Sequence, residues 1–135
     1  MKNIVKDWIF LADRDLSAAE VLLKDEYPLT NIVAFLCQQT IEKYLKAFLI
    51  ENDISLVKTH NLLKLNDLVN EVKDLSIDEE KLDDVNEVYT ESRYPGEIGL
   101  LPTGMPTYDE ANDFWEFAKE VKSIILKELI SSKSI

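Results

Sequence analysis

The sequence predicts an all-α fold, an up-and-down antiparallel bundle of about five helices, built as a single domain over residues 1–135. Three observations point there. The helix breakers are crowded into one place: Gly96, Gly99 and Gly104, with Pro95, Pro102 and Pro106, all lie between residues 95 and 106, and Pro28 stands alone elsewhere. The stretches 1–27, 29–94 and 107–135 are therefore free to be helical. No alternating apolar–polar run bounded by turn residues occurs, which argues against strands. The apolar residues instead recur at steps of three and four, the period of a helix with one buried face.

The first helix carries Val5, Trp8, Ala12, Leu16, Ala19 and Leu23 on one stripe, and Tyr27-Pro28 closes it, because the residue before proline is pushed out of the helical region. The second, from Ile32 to Ile50, is apolar nearly all round, as expected of a helix buried on several sides. Its polar remainder is Gln38, Gln39, Glu42, Lys43 and Lys46, and Glu42 with Lys46 reads as a one-turn ion pair on an exposed surface, worth about 0.2–0.5 kcal/mol. The third follows Lys58-Thr59-His60-Asn61, with Thr59 or Asn61 as its cap and Leu62, Leu65, Val69 and Val72 on its inner face. The fourth spans about Asp78 to Tyr89, its first turn loaded with Asp78, Glu79 and Glu80, which suits the positive end of the helix dipole. The last starts near Thr107, where Thr107 and Glu110 form a capping box, and carries Ala111, Phe114, Ala118, Val121, Ile125 and Leu129. A loop over 94–106 joins the last two, and residues 131–135 read as a fraying tail.

Composition narrows the function. Hydrophobic residues make up 46% and charged residues 30%, the balance of a water-soluble globular chain. One cysteine and one histidine exclude a disulfide framework and a multi-histidine or cysteine-rich metal site within the chain, so neither metal nor cofactor is expected. No apolar signal region follows the N-terminus and no run is long enough to span a bilayer, so the expectation is a cytoplasmic protein with no membrane partner. The net charge of -11 is uneven: residues 51–91 hold twelve acids and four bases. That disfavours broad nucleic-acid binding, which needs clustered cations to displace counterions, and leaves room for one local pocket. As a solvated acidic face, the same stretch aids solubility.

Three strings stand apart from this pattern. They are Gln38-Gln39-Thr40-Ile41-Glu42-Lys43-Tyr44-Leu45-Lys46-Ala47 in the central helix, Lys58-Thr59-His60-Asn61-Leu62 at the start of the third, and Ser92-Arg93-Tyr94-Pro95-Gly96 at the mouth of the loop. In this order, with Trp8…Ala12-Asp13-Arg14-Asp15-Leu16 before them and Phe117-Ala118-Lys119-Glu120-Val121 after, they resemble the HEPN domain family (higher eukaryotes and prokaryotes nucleotide-binding). The resemblance covers nearly the whole chain. It implies a helical bundle that commonly dimerises, often beside a minimal nucleotidyltransferase in toxin–antitoxin-like modules. Other branches of the family are metal-independent ribonucleases that use an Arg followed four to six residues later by His. Here those positions after Arg93 are Glu97, Ile98 and Gly99, and after Arg14 they are Ala18, Ala19 and Glu20, so the ribonuclease motif is missing.

The resemblance therefore favours a nucleotide-binding or accessory protein, a homodimer working with a nucleotidyltransferase chain and contacting a nucleotide or short RNA. The alternatives are a ribonuclease toxin in which folding brings Arg93 and His60 together, and a dimeric scaffold without ligand. The candidate nucleotide-binding residues are Gln39, Lys43, Lys58, His60, Arg93 and Tyr94; no catalytic residue is assigned. Each has a structural role open to it as well. His60 can bond local backbone or meet an anion at a helix N-terminus. Arg93 can tie the loop to the bundle or grip phosphate. Tyr94-Pro95-Gly96 makes a turn, Lys43 and Lys46 serve as exposed charges, and Cys37 packs as a small apolar side chain. The loop's apolar Ile98, Leu100, Leu101 and Met105 suit a fold-back onto the bundle or a partner. A further argument for dimerisation is that the central helix is apolar on more faces than a small bundle readily covers.

Overall fold

The computed structural model describes the backbone of residues 1–93 and 105–131, with side chains over 1–87 and 105–131. The expected tail past Ser131 lies outside the described residues. Those described form five helices and no strand: α1 (Asn3–Leu23), α2 (Thr30–Glu51), α3 (Leu62–Val72), α4 (Glu79–Arg93) and α5 (Tyr108–Ser131). The periodicity fixes which face of each turns inward. Val5, Ala12, Leu16, Ala19 and Leu23 of α1 are buried, while Trp8 is only half-buried at the edge of the stripe. In α3, Leu62, Leu65 and Val69 are buried and Val72 is exposed. Leu82 and Val85 bury the inner face of α4. Every apolar position expected on α5 is buried, with Phe117 added.

α2 lies at the centre and touches each of the other four helices. Thirteen of its 22 residues are buried, Ile41, Tyr44, Leu45 and Leu49 among them. The apolar surface that suggested a second copy is thus mostly covered within one chain. What remains exposed on α2 is Ile32 and Phe35 at its first turns.

Helix ends follow local chemistry. α1 stops at Leu23, four residues before Tyr27, where Lys24 N–H donates to the Glu20 carbonyl at 3.1 Å and Asp25 N–H to the Leu22 carbonyl at 3.4 Å. The proline marks where the chain restarts, not where the first helix stops. α2 is terminated by Asn52 and by Asp53 in the left-handed region at φ 64°, a conformation that Asp tolerates better than branched residues. Lys2 reaches across to that end, donating from Nζ to the Ile50 carbonyl at 2.9 Å and pairing with Asp53. Asp78 accepts from Lys81 N–H at 3.1 Å and starts α4, which continues past the expected end at Tyr89 to Arg93.

The capping box of α5 forms in both directions: Glu110 N–H donates to Thr107 Oγ1 at 3.1 Å and Thr107 N–H to Glu110 Oε1 at 2.9 Å. Thr107→Ala is therefore expected to lower stability by about 1 kcal/mol, read as a shift in urea midpoint at unchanged slope. No change in midpoint would show that the box contributes nothing net.

Candidate polar site on the central helix

α2 carries a polar stripe at four-residue steps, Gln38, Glu42 and Lys46, on a helix otherwise given to apolar packing. The spacing stacks the three side chains on one face. All three are buried, Gln38 completely. This corrects the expectation of an exposed Glu42–Lys46 pair and of Lys46 as a surface charge. The face is covered by the segment leading into α3, which lays His60 over it, and by Trp8 of α1, whose ring centroid lies 5.9 Å from Lys46 Nζ.

Glu42 is the hub. Its Oε1 accepts from Gln38 Nε2 at 3.2 Å and meets His60 Nδ1 at 3.0 Å, and its Oε2 accepts from Lys46 Nζ at 3.0 Å. Gln38 Nε2 also donates to the His60 carbonyl at 2.9 Å, and Gln38 Oε1 accepts from Gln39 Nε2 at 2.7 Å. A buried charge is tolerable only when paired and hydrogen-bonded, and three donors satisfy this carboxylate. An ionised carboxylate only accepts, so the network assigns the proton to His60 Nδ1 and leaves Nε2 as the uncommitted ring nitrogen. The His60 side chain is 64% exposed while that of Glu42 is 5% exposed. The arrangement is a surface imidazole held from behind by a buried anion.

The expected site residues do not all converge here. Gln39 and His60 are joined through Gln38 and Glu42. Lys58 is exposed two residues before His60 and has no recorded partner among the described residues. Lys43 turns the other way, to an ion pair with Asp15 of α1, and is half-buried rather than freely exposed. It would have to leave Asp15 to reach a ligand. Arg93 closes α4, its side chain lying outside the described set, and Tyr94 lies outside the described residues altogether, as does most of the 94–106 loop. Gln38, Glu42 and Lys46 were absent from the expected set. The signal that could have found them was the four-residue polar spacing on an apolar helix.

The α3 N-terminus offers no open anion site. Asn61 N–H is bonded to Thr59 Oγ1, Leu62 N–H to Asn86 Oδ1, and Leu63 and Lys64 N–H to Asn61 Oδ1. Both expected caps are used, two residues apart. The dipole remains, but a phosphate would have to displace side chains already in place.

A second polar connection ties three helices together. Tyr44 OH donates to Asp13 of α1, and Asp13 also pairs with Lys122 of α5 at 3.1 Å. The Tyr44 hydroxyl is held well above the usual phenol range, first by burial and then by the Asp13 carboxylate. Cys37 is buried two turns earlier on α2, and burial pushes its thiol up to about 12, so it is an inert core group.

A recess of about 920 Å³ lies elsewhere, between α4 and α5. Asp84, Glu87, Glu110, Asp113, Glu116 and Glu120 line it against two lysines, Lys81 and Lys119. Six carboxylates to two ammonium groups make it unfit for a phosphate, whatever its size. At His60 the charged neighbours are Glu42, itself paired with Lys46, and Lys58 two residues earlier in the chain. Among the described residues no group of three or more His, Cys, Asp or Glu is arranged to hold a metal ion, and no helix is long and apolar enough to cross a membrane.

A family model described as the HEPN domain matches residues 5–129. The fold is similar to the crystal structure of TT1696 from Thermus thermophilus, with a TM-score of 0.75 and 22% identity over 93% of this chain and 98% of that one. At that identity the likeness carries the fold alone. No curated protein matches the chain.

Proposed function

Because the chain belongs to the HEPN domain family, we propose that it is a nucleotide-binding accessory protein without catalytic activity of its own, acting as a homodimer beside a minimal nucleotidyltransferase in a toxin–antitoxin-like module. Membership supports the coarse reading, a nucleotide-binding or ribonuclease-like role. The finer choice rests on one observation: the single histidine is fixed on a buried carboxylate and faces solvent near Lys58 and Gln39, and no arginine stands at ribonuclease spacing from it. Lys58, His60 and Gln39 are then the ligand-facing residues, with Lys43 joining only by leaving Asp15, and Arg93 and Tyr94 kept as candidates from the family resemblance alone.

The homodimer has a candidate face. Ile4, Trp8, Leu11 and Asp15 follow one another at helical spacing on α1, and Ile32, Phe35, Gln39 and Lys43 do so on α2; the two helices run antiparallel, so the Lys43–Asp15 pair joins the stripes end to end. Ile4 and Leu11 toward one end of this face, and Ile32 and Phe35 toward the other, are each 39–51% exposed, apolar surface that a second copy would cover. Sedimentation of the purified chain is expected to give a dimer at micromolar concentration, converted to monomer by Phe35→Glu with Leu11→Glu. A wild-type monomer would remove this part of the proposal.

Binding is tested by calorimetric titration with ATP, ADP and GTP, together with thermal shift. Heat and a raised midpoint with at least one of them are expected; silence from all three would leave the scaffold reading. One geometric fact favours the ribonuclease rival: an imidazole whose Nδ1 is held by a carboxylate presents Nε2 as a base. Single-stranded RNA incubated with the protein in chelator is expected to stay intact. Cleavage lost on His60→Ala would replace the accessory reading with the enzymatic one.

A further inference from the structure

We propose that His60 grips a nucleotide phosphate as an imidazolium, so that binding takes up a proton, and that Glu42 is the positioning residue that selects this state. The inference rests on the nucleotide-binding reading above and names which part of the ligand is recognised and in what protonation state.

The geometry limits the choices. His60 Nδ1 lies 3.0 Å from Glu42 Oε1 and is committed to it. Only Nε2 is left for a ligand, on a ring whose side chain is 64% exposed. In the neutral ring Nε2 carries a lone pair, which repels a phosphate oxygen; in the cation it carries an N–H, which bonds one. A ligand that binds one protonation state better shifts the equilibrium toward that state. The proton comes from solvent onto Nε2, and no covalent bond is made or broken.

Among the described residues, the surroundings place one negative charge behind the ring, whose side chain is 64% exposed. From α2, Glu42 presents its carboxylate to the ring while Lys46 sits on the opposite carboxylate oxygen at 3.0 Å. From the segment of His60 itself, the charged neighbour is Lys58. From α3 and α4, the recorded groups at this end are the amides of Asn61 and Asn86, which are uncharged and occupied with backbone N–H groups. Among the described residues, Glu42 is the only carboxylate in recorded contact with the ring. Because those amides occupy the first N–H groups of α3, the phosphate must be held by side chains, which places the burden on His60 and Lys58.

Two features make Glu42 a positioning residue rather than a ligand. It is buried, and all its recorded bonds run to protein donors. Gln38 holds both ends of the same corner, bonding Glu42 and the His60 carbonyl, so backbone and ring of residue 60 are fixed together.

The test is calorimetric titration of the whole chain with ATP near pH 8, where the ligand's phosphates are ionised, in two buffers of different ionisation heat. Uptake of up to about one proton per ATP is expected, with affinity falling up to about tenfold per pH unit as the solution is made more alkaline. Adenosine, which has no phosphate, is expected to give no uptake. His60→Gln, at an exposed position, should keep the fold, abolish the uptake and weaken ATP binding about tenfold or more. Glu42→Gln, checked for retained helicity, should reduce the uptake while leaving His60 present, an effect that mere structural support of the bundle would not give. ATP binding without proton uptake, or binding untouched by His60→Gln, would overturn the inference and leave the nucleotide reading standing. Absence of binding by ATP, ADP and GTP would overturn both.

Discussion

Replacing Glu42 with alanine is expected to destabilise the bundle by about 3–5 kcal/mol, a large part of the ~5–15 kcal/mol by which a domain of this size is stable. The reason is what the substitution leaves behind. Lys46 keeps its ammonium group at 7% side-chain exposure, with only the Trp8 ring at 5.9 Å to replace a carboxylate at 3.0 Å. Gln38 and His60 each lose an acceptor as well. Removing one member of a buried pair exposes the full desolvation cost of the other, whereas removing both can be neutral. Glu42→Leu combined with Lys46→Met should therefore recover most of the loss, although each single change is costly. Urea unfolding of wild type, both singles and the double forms the cycle that isolates the pair. A cost below about 1 kcal/mol for Glu42→Ala would mean that the pair behaves as the exposed one its spacing suggests.

That contrast shows where sequence reading reached its limit. The spacing of Glu42 and Lys46 correctly made them neighbours, because four residues return a helix to the same face. Spacing cannot say what lies over that face. On α2 the polar stripe was the natural candidate for solvent, yet the cover comes from the link between α2 and α3, which has no periodic pattern to declare its path. Only the contact of His60 with Glu42 reveals it. The helices themselves were legible because burial repeats with the turn: the inner residues named for α1, α3 and α5 are nearly all buried, with Trp8 and Val72 at the margins. Caps were legible too, since Thr107-x-x-Glu110 and Asn61 act through atoms only two or three residues away. The helix ends set by proline were less so; α1 ends four residues before Tyr27, because Pro28 forbids continuation without dictating where fraying starts.

Charge behaved the same way. The acidic excess of residues 51–91 was visible in the sequence, but its spatial partner was not. α5 adds Glu110, Asp113, Glu116 and Glu120 to Asp84 and Glu87 of α4 around one recess. Those four belong to a stretch whose own balance is only slightly negative. The fold thus gathers these carboxylates around one recess that is hostile to phosphate.

The second large effect concerns Tyr44 and Cys37 in the middle of α2. Both side chains are fully buried, and Tyr44 is among the largest fully buried side chains. Tyr44→Ala is expected to cost about 3–5 kcal/mol, because it leaves a cavity at the meeting of α1, α2 and α5 and frees Asp13 from its hydroxyl donor. Tyr44→Phe keeps the ring and should cost about 1–2 kcal/mol, the lower part of the range for a charge-assisted bond, since Asp13 retains Lys122 at 3.1 Å. The two variants then separate in alkali. The folded chain holds the Tyr44 proton above the ordinary value of 10.0 and the Cys37 proton up to about 12 against 9.0. Above those ordinary values the unfolded chain ionises while the folded chain does not, so the unfolded state binds fewer protons and stability falls as pH rises. The decline should begin near pH 9 through Cys37 and steepen above 10 through Tyr44, each contributing a slope of at most about 1.4 kcal/mol per pH unit. Cys37→Ala should remove the earlier part and Tyr44→Phe the later. Denaturant midpoints from neutral pH upward check this; an alkaline limb unchanged in both variants would place the loss of stability in other groups and deny these two their buried, protonated state.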